Sequence, residues 1–99
     1  MIRGTTPTLE FTIPFDMELI AEAYVTLSQK NKVVLDKRLM DCQCSENKLS
    51  VKLTQEETLM LDCAYKTEIQ VRVRTVDGDA LASEIITEST ERILRDGVV

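Results

Sequence analysis

Two alternating segments joined through Asp77-Gly78 constrain this chain more than any other feature. Ile69-Gln70-Val71-Arg72-Val73-Arg74 puts an apolar side chain at every second position, and Leu81-Ala82-Ser83-Glu84-Ile85 keeps the same two-residue step. A period of two belongs to a strand with one dry face and one wet face. Asp-Gly between such arms is a hairpin signal, because glycine reaches positive φ without the clash that a Cβ would cause. The stretch from Thr67 to Thr87 therefore reads as the central hairpin of a small antiparallel sheet, with Ile69, Val71 and Val73 turned inward.

Thr8-Leu9-Glu10-Phe11-Thr12-Ile13 repeats the pattern, with Leu9, Phe11 and Ile13 on one face and Thr8, Glu10 and Thr12 on the other. Pro7 and Pro14 bracket it. Proline cannot donate to a ladder, so the brackets suit an edge strand with defined ends. The segment 19–27 fits two forms. Ile20, Ala23, Tyr24 and Leu27 share a helix face, with Asp16 available as a cap. Ala21, Ala23, Val25 and Leu27 share the inward face of a strand, with Glu22, Tyr24 and Thr26 outward. The β-branched and aromatic second half and the turn formers Ser28-Gln29-Lys30-Asn31 favour a one-turn helical start leading into a strand. Val33 to Leu39 is then its hairpin partner, closed at Lys30-Asn31-Lys32. Met40–Cys44 and Leu49–Leu53 form a further pair that turns at Ser45-Glu46-Asn47-Lys48, with Leu49, Val51 and Leu53 facing in.

Thr54-Gln55-Glu56-Glu57 is a capping box: the Thr54 hydroxyl accepts from the Glu57 amide, and the Glu57 carboxylate accepts from the Thr54 amide. A short helix from Gln55 to Leu61 is expected to follow, burying Leu59 or Met60 and crossing one end of the sheets. Tyr65 then stands at a corner, where it could act like the tyrosine corner of immunoglobulin-like domains or sit as an ordinary half-buried side chain. After Glu88 the two-residue period stops. Ile93 and Leu94 could anchor a helical turn ended by Gly97, or the segment could order only against a neighbouring subunit. The expectation is an all-β, immunoglobulin-like antiparallel sandwich of about seven strands with one short crossing helix. Residues 1–99 should form a single β-sandwich domain, with an irregular N-terminal arm over 1–7 and an irregular C-terminal tail over 89–99.

A net charge of −5 and a pI near 4.7 argue against a nucleic-acid partner, because phosphate contacts depend on clustered Lys and Arg. Arg72 and Arg74 do share an outer face, but Glu68 lies on it too, which suits a solvated mixed-charge surface. There is no Trp, and two Tyr and two Phe are too few for a base-stacking platform. No apolar run approaches the roughly 20 residues of a membrane span, so no membrane partner is expected. Met1 to Pro7 holds no apolar h-region, so no secretion signal is expected and the chain should fold in a reducing cytoplasm.

Catalysis has little to start from. Histidine, the usual general base near neutral pH, is absent, and the carboxylates fall on outer faces and loops. Glycines at only 4, 78 and 97 cannot build a phosphate loop. No enzyme, catalytic residue or cofactor is expected. Cys42, Cys44 and Cys63 are the metal-site suspects, but Cys42-Gln43-Cys44 is C-x-C and a fourth ligand would have to be Asp41 or Asp62. Free, half-buried thiols on a strand are the expectation, rather than metal ligands or a disulfide. Asp77-Gly78-Asp79 reads as a turn and not as a calcium loop, since Glu88 follows a hydrophobic strand instead of closing an ion-binding loop.

Three stretches carry a resemblance: Met1-Ile2-Arg3-Gly4-Thr5-Thr6-Pro7, Leu53-Thr54-Gln55-Glu56-Glu57-Thr58, and Ile69-Gln70-Val71-Arg72-Val73 with Ala82-Ser83-Glu84-Ile85 further on. Their order resembles a family of small prophage-encoded proteins of Gram-positive bacteria. More loosely, the Leu53–Thr58 helix start leading into a strand is similar to the immunoglobulin-like N-terminal domain of phage upper-baseplate proteins. The resemblance implies a non-enzymatic structural or interaction module, a virion or tail/baseplate assembly component. Its partners would be other phage structural proteins or copies of itself, met in the bacterial host cytoplasm during assembly or in the virion. The motifs carry no chemistry, so no site residue follows from them. A second class, a small monomeric regulatory protein that binds a bacterial host protein, fits the same absence of catalytic residues.

Overall fold

In the computed structural model, which describes Met1 to Val99 throughout, the alternating segments pair into two antiparallel sheets. The strands are β1 (Thr8–Thr12), β2 (Ile20–Gln29), β3 (Lys32–Arg38), β4 (Gln43–Ser45), β5 (Lys48–Lys52), β6 (Thr67–Thr75), β7 (Ala80–Ala82) and β8 (Ile86–Glu88). A short helix, α1 (Gln55–Leu59), lies between β5 and β6. The narrow sheet runs β1-β5-β4, and the wide sheet runs β3-β2-β6-β7, with β8 also paired to β6. In immunoglobulin lettering this neighbour order reads B-E-D against C′-C-F-G, the scheme without its first strand.

The core lies between the sheets, and the two-residue period decides which side chains enter it. Ala23, Val25 and Leu27 of β2 and Ile69, Val71 and Val73 of β6 are buried from one side; Leu49 and Val51 of β5, followed by Leu53, are buried from the other. Leu9 and Phe11 of β1 are only partly covered, as befits the edge position of that strand. Segment 19–27 is a strand from Ile20 on, entered through a helical turn that ends at Leu19. Asp16 accepts from the Glu18 amide at 2.9 Å and caps a single 3-10 turn over Met17–Leu19, after which the chain extends.

The turns follow from local chemistry. Lys30 and Asn31 both take positive φ, 52° and 62°, which makes the two-residue hairpin turn whose twist suits antiparallel strands. At the other hairpin the Thr75 amide donates to the Asp79 carbonyl at 2.8 Å, and Gly78 sits at φ 93°, so the loop holds three residues with glycine in the left-handed position. The capping box is present in both directions: Thr54 Oγ1 accepts from the Glu57 amide at 3.1 Å, and Glu57 Oε1 accepts from the Thr54 amide at 2.9 Å.

Several expectations change. Ala21 is exposed rather than inward, because a bulge between Ile20 and Glu22 hands its place to buried Ile20. The arm 81–85 is not continuous: β7 stops at Ala82, Ser83 to Ile85 leave the ladder, and β8 resumes at Ile86. That interruption turns about seven strands into eight. At the break the Ser83 hydroxyl accepts from the Val71 amide at 3.0 Å, which replaces a ladder carbonyl. Met40–Cys44 is a strand only from Gln43, since Leu39–Asp41 form a 3-10 turn in which the Asp41 carboxylate accepts from the Arg38 amide. The helix ends at Leu59 and its buried residue is Thr58, followed by buried Leu61; Met60 is 59% exposed.

The corner after the helix is built by Gln29 rather than by Tyr65. Gln29 Oε1 accepts from the Asp62 amide at 2.8 Å, and its Nε2 is within 2.9 Å of the Asp62 carbonyl and 3.2–3.3 Å of the Tyr65 carbonyl and the Thr67 and Thr90 hydroxyls. Tyr65 instead stands out from the surface with its hydroxyl 3.3 Å from Lys30 Nζ. The tail over 89–99 forms no helical turn. Thr90 is buried by its bond to Thr67 at 2.6 Å, and the Glu91 main chain is taken by the N-terminal arm, through Arg3 N to Glu91 O at 3.0 Å and Glu91 N to Met1 O at 2.8 Å. The chain is thus held extended just before Ile93, and Leu94 is 93% exposed. Arg3 completes the junction by donating to the carbonyls of Leu59 and Leu61 at 3.0 and 2.6 Å, which satisfies the end of α1.

Candidate interaction surface

Four edges end the two sheets, and they differ in chemistry. β3 carries Lys32, Asp36, Lys37 and Arg38 and a register shift opposite Leu27/Ser28, the charges and bulge that keep an edge from pairing with another chain. β1 carries Glu10 between two prolines, with Glu10 3.7 Å from Lys48. β4 is three residues long. The remaining edge, β7 with the break and β8, shows Leu81, Ile85 and Ile86 exposed at 39%, 56% and 45%, and β7 has no charged residue.

Register fixes which main-chain groups that edge offers. Thr75 pairs with Asp79 by hydrogen bond, and the Ser83 amide donates to the Val71 carbonyl at 2.8 Å, so alternation turns the Leu81 main chain toward β6. The amides and carbonyls of Ala80 and Ala82 then point away from the sheet. The narrow sheet does not reach this far, and a seam lined by Ile13, Pro14, Val71, Val73 and Leu81 opens between β1 and β7.

The outer face beside β7 is basic. Arg72 lies opposite Ala82 and Arg74 opposite Ala80, one strand in from the edge. Across β2, Tyr24 pairs with Arg72 and Glu22 with Arg74, and Arg38 stacks over Tyr24 at 5.6 Å while holding Glu22 at 3.0 Å. Glu22, Tyr24, Arg38, Arg72, Arg74 and Ala80 line one shallow concavity. Glu22 is held below the usual carboxylate range by the Ala23 amide and by Arg38, and Arg38 is raised in turn by Glu22. Arg72 and Arg74, by contrast, take part in none of the five ion pairs of the fold.

The other ionisable groups are explained by structure. Burial pushes Glu57 up, but the Lys37 ammonium and the Thr54 amide outweigh it and leave the carboxyl lowered; this pair ties β3 to α1. The three thiols are free, Cys42 half-buried and Cys44 and Cys63 exposed. Of these only Cys44 lies on a strand, so the expectation of half-buried strand thiols fits none of the three in full. Burial, with Cys44 and Asp41 beside it, raises the Cys42 thiol, whose Sγ donates to the Arg38 carbonyl at 3.3 Å. No three Cys, Asp or Glu side chains converge as a metal-holding group. No helix is long and apolar enough to cross a membrane.

What these elements define is the class: an all-β, two-sheet sandwich with one bare edge beside a basic outer face. Comparison with protein-family models, with curated proteins and with solved structures found no match to this chain. The bare edge was available in the sequence as the uncharged run Ala80-Leu81-Ala82, but the even alternation through Ile85 concealed the break at Ser83.

Proposed function

We propose that this protein is a non-enzymatic protein–protein interaction module that engages its partner through the β7/β8 edge. The observation that carries the reading is the exposure of Leu81, Ile85 and Ile86 on an edge whose first strand, β7, has no charged residue, where the narrow sheet leaves the wide one uncovered. Sheet edges bind extended chains because main-chain hydrogen bonds supply affinity and alternate side chains supply choice. Support for placing it in phage assembly, as a virion or tail/baseplate component, comes from the sequence resemblance alone. Co-expression with phage tail and baseplate proteins of Gram-positive bacteria, followed by purification of particles, is the test: the protein should co-purify with particles or with one tail protein. Its recovery as a monomer without affinity for any of them would sink the reading.

A further inference from the structure

The geometry points to the chemistry of the partner: an extended segment that adds to β7 as a further strand, apolar on the inward positions and acidic on the outward ones. This inference rests on the edge reading above and deepens it. Main-chain groups come first. Ala80 and Ala82 turn two amides and two carbonyls outward, the pattern an added antiparallel strand would meet. Because cross-strand partners share a face, residues of the added strand opposite Ala80 and Ala82 would project on the same outer face as Arg72 and Arg74. Two strand spacings, about 9.6 Å, separate them from the arginine positions, a gap that a glutamate and an arginine side chain span together. The alanines between are too small to obstruct it. The inward residues of the added strand would cover Leu81 and fill the seam beside Ile13 and Val73.

Charge selects among occupants. Arg72 and Arg74 are the cations of this face that enter no ion pair, Glu22 being held by Arg38, so acids opposite Ala80 and Ala82 gain attraction and bases meet repulsion. At β1 the outer face mixes Glu10 with Lys48 and Lys52, so an acidic strand gains less there than beside Arg72 and Arg74, and a second copy joined β7 to β7 would bring the two Arg72/Arg74 pairs toward each other. A three-residue edge offers few bonds, so binding should be weak and salt-sensitive.

The test is a titration of the full chain, followed by amide resonances at low salt, with capped ten-residue peptides that alternate valine with glutamate or valine with lysine. The glutamate peptide should shift and protect the Ala80 and Ala82 amides and bind at least about tenfold more tightly than the lysine peptide. Arg72→Glu with Arg74→Glu should invert that preference. Ala82→Pro removes an outward amide without breaking the bond to β6 and should weaken binding by at least about tenfold. Should that variant misfold by circular dichroism, a glutamate peptide N-methylated at alternate residues serves instead and should lose the same affinity. Equal binding of the two peptides, protection of Thr8, Glu10 and Thr12 instead, no binding at roughly millimolar peptide, or β7-mediated self-association overturns the inference. If Arg72→Glu with Arg74→Glu, which leaves the edge amides of β7 intact, still joins the partner proteins with full affinity, this partner chemistry fails while the edge reading stands; if Ala82→Pro also leaves affinity unchanged, the edge reading fails with it.

Discussion

Gln29 and Asp62, 33 residues apart, exchange two hydrogen bonds: the side-chain amide of Gln29 donates to the Asp62 carbonyl at 2.9 Å and accepts from its main-chain amide at 2.8 Å. A primary amide has the donor and acceptor spacing of a peptide unit, so Gln29 acts as one more residue of backbone pairing where β2 has ended. The Thr67 and Thr90 hydroxyls close the cluster, which makes a polar node at the end of an otherwise aliphatic core. Buried polar groups left without partners cost more than the bonds themselves contribute.

Replacing Gln29 with Ala should therefore lower stability by about 2–3 kcal/mol in urea unfolding, well above a surface substitution. Gln29→Glu is the sharper probe. A carboxylate still accepts from the Asp62 amide but cannot donate to the carbonyls of Asp62 and Tyr65. The folded-state pKa of this introduced acid must rise, so its stability should recover as pH falls from 7 toward 4. An unchanged deficit across that range would contradict the donor role.

Glu57 predicts the opposite sign. Its folded-state carboxyl is lowered from 4.5 by Lys37 and by the Thr54 amide, so its contribution is complete above that value and is lost as pH falls through the lowered one. The side chains are largely shielded but near the surface, so the effect is under about 1 kcal/mol. Glu57→Gln keeps a carbonyl oxygen for the cap and should flatten this acid limb with little loss at pH 7. Glu57→Ala removes the cap as well and should cost about 1 kcal/mol more. Denaturant midpoints at pH 3, 5 and 7 read out both.

Ser83 holds the interrupted edge. Its hydroxyl accepts from the amide of buried Val71, so Ser83→Ala leaves that amide without its partner and should cost about 1–2 kcal/mol. Hydrogen exchange should speed up at Val71 while Val25 stays protected. Uniform loss of protection across β6 would mean that the hydroxyl matters to the whole sheet rather than to the break.

Cysteine reactivity should rank by setting. Cys42 is half-buried and its thiol is raised by that burial, so its thiolate is scarce and the sulfur is shielded, whereas Cys44 and Cys63 are exposed to reagent. Alkylation of the folded protein at pH 7.5, read by mass spectrometry, should modify Cys42 last. Equal rates at all three in the folded state, with slower Cys42 recovered by no condition, would remove the burial argument.

How far the sequence reveals this fold varies with the range of the interaction. Wherever one side chain or one turn decides, the reading holds: Leu49, Val51 and Leu53 face in, Thr54 and Glu57 cap each other, and Asp16 starts the 3-10 turn before β2. It fails where a distant partner decides. Ala21 has the right character for the core and loses its place because a bulge shifts register by one residue, which moves every side chain before it to the other face. The tail has a helix-compatible sequence, yet Thr90 and Glu91 bond to residues far away in the chain. The candidate edge was half legible. The period of β6 puts Arg72 and Arg74 on the outer face, whereas the absence of cover over Leu81 depends on the narrow sheet having only three strands.

Gly4 offers a test of the junction between the two ends of the chain. It takes φ 72°, and a Cβ there would lie 2.9 Å from Ile93 Cδ1 and 3.3 Å from Leu59 Cδ2. Gly4→Ala thus meets two costs of different kinds: a left-handed backbone, about 1 kcal/mol, and a steric clash that the end of a side chain must relieve. The two separate experimentally. Ile93→Val deletes the Cδ1 atom, so it should recover part of the Gly4→Ala loss in a double-mutant cycle while the backbone cost persists. The cycle therefore predicts a favourable coupling between positions 4 and 93, whereas Leu94→Ala, at a residue 93% exposed, should couple to neither. Strict additivity of Gly4→Ala and Ile93→Val would show that Ile93 does not pack on Gly4 in solution, and with it the docking of the tail against the N-terminal arm would fall.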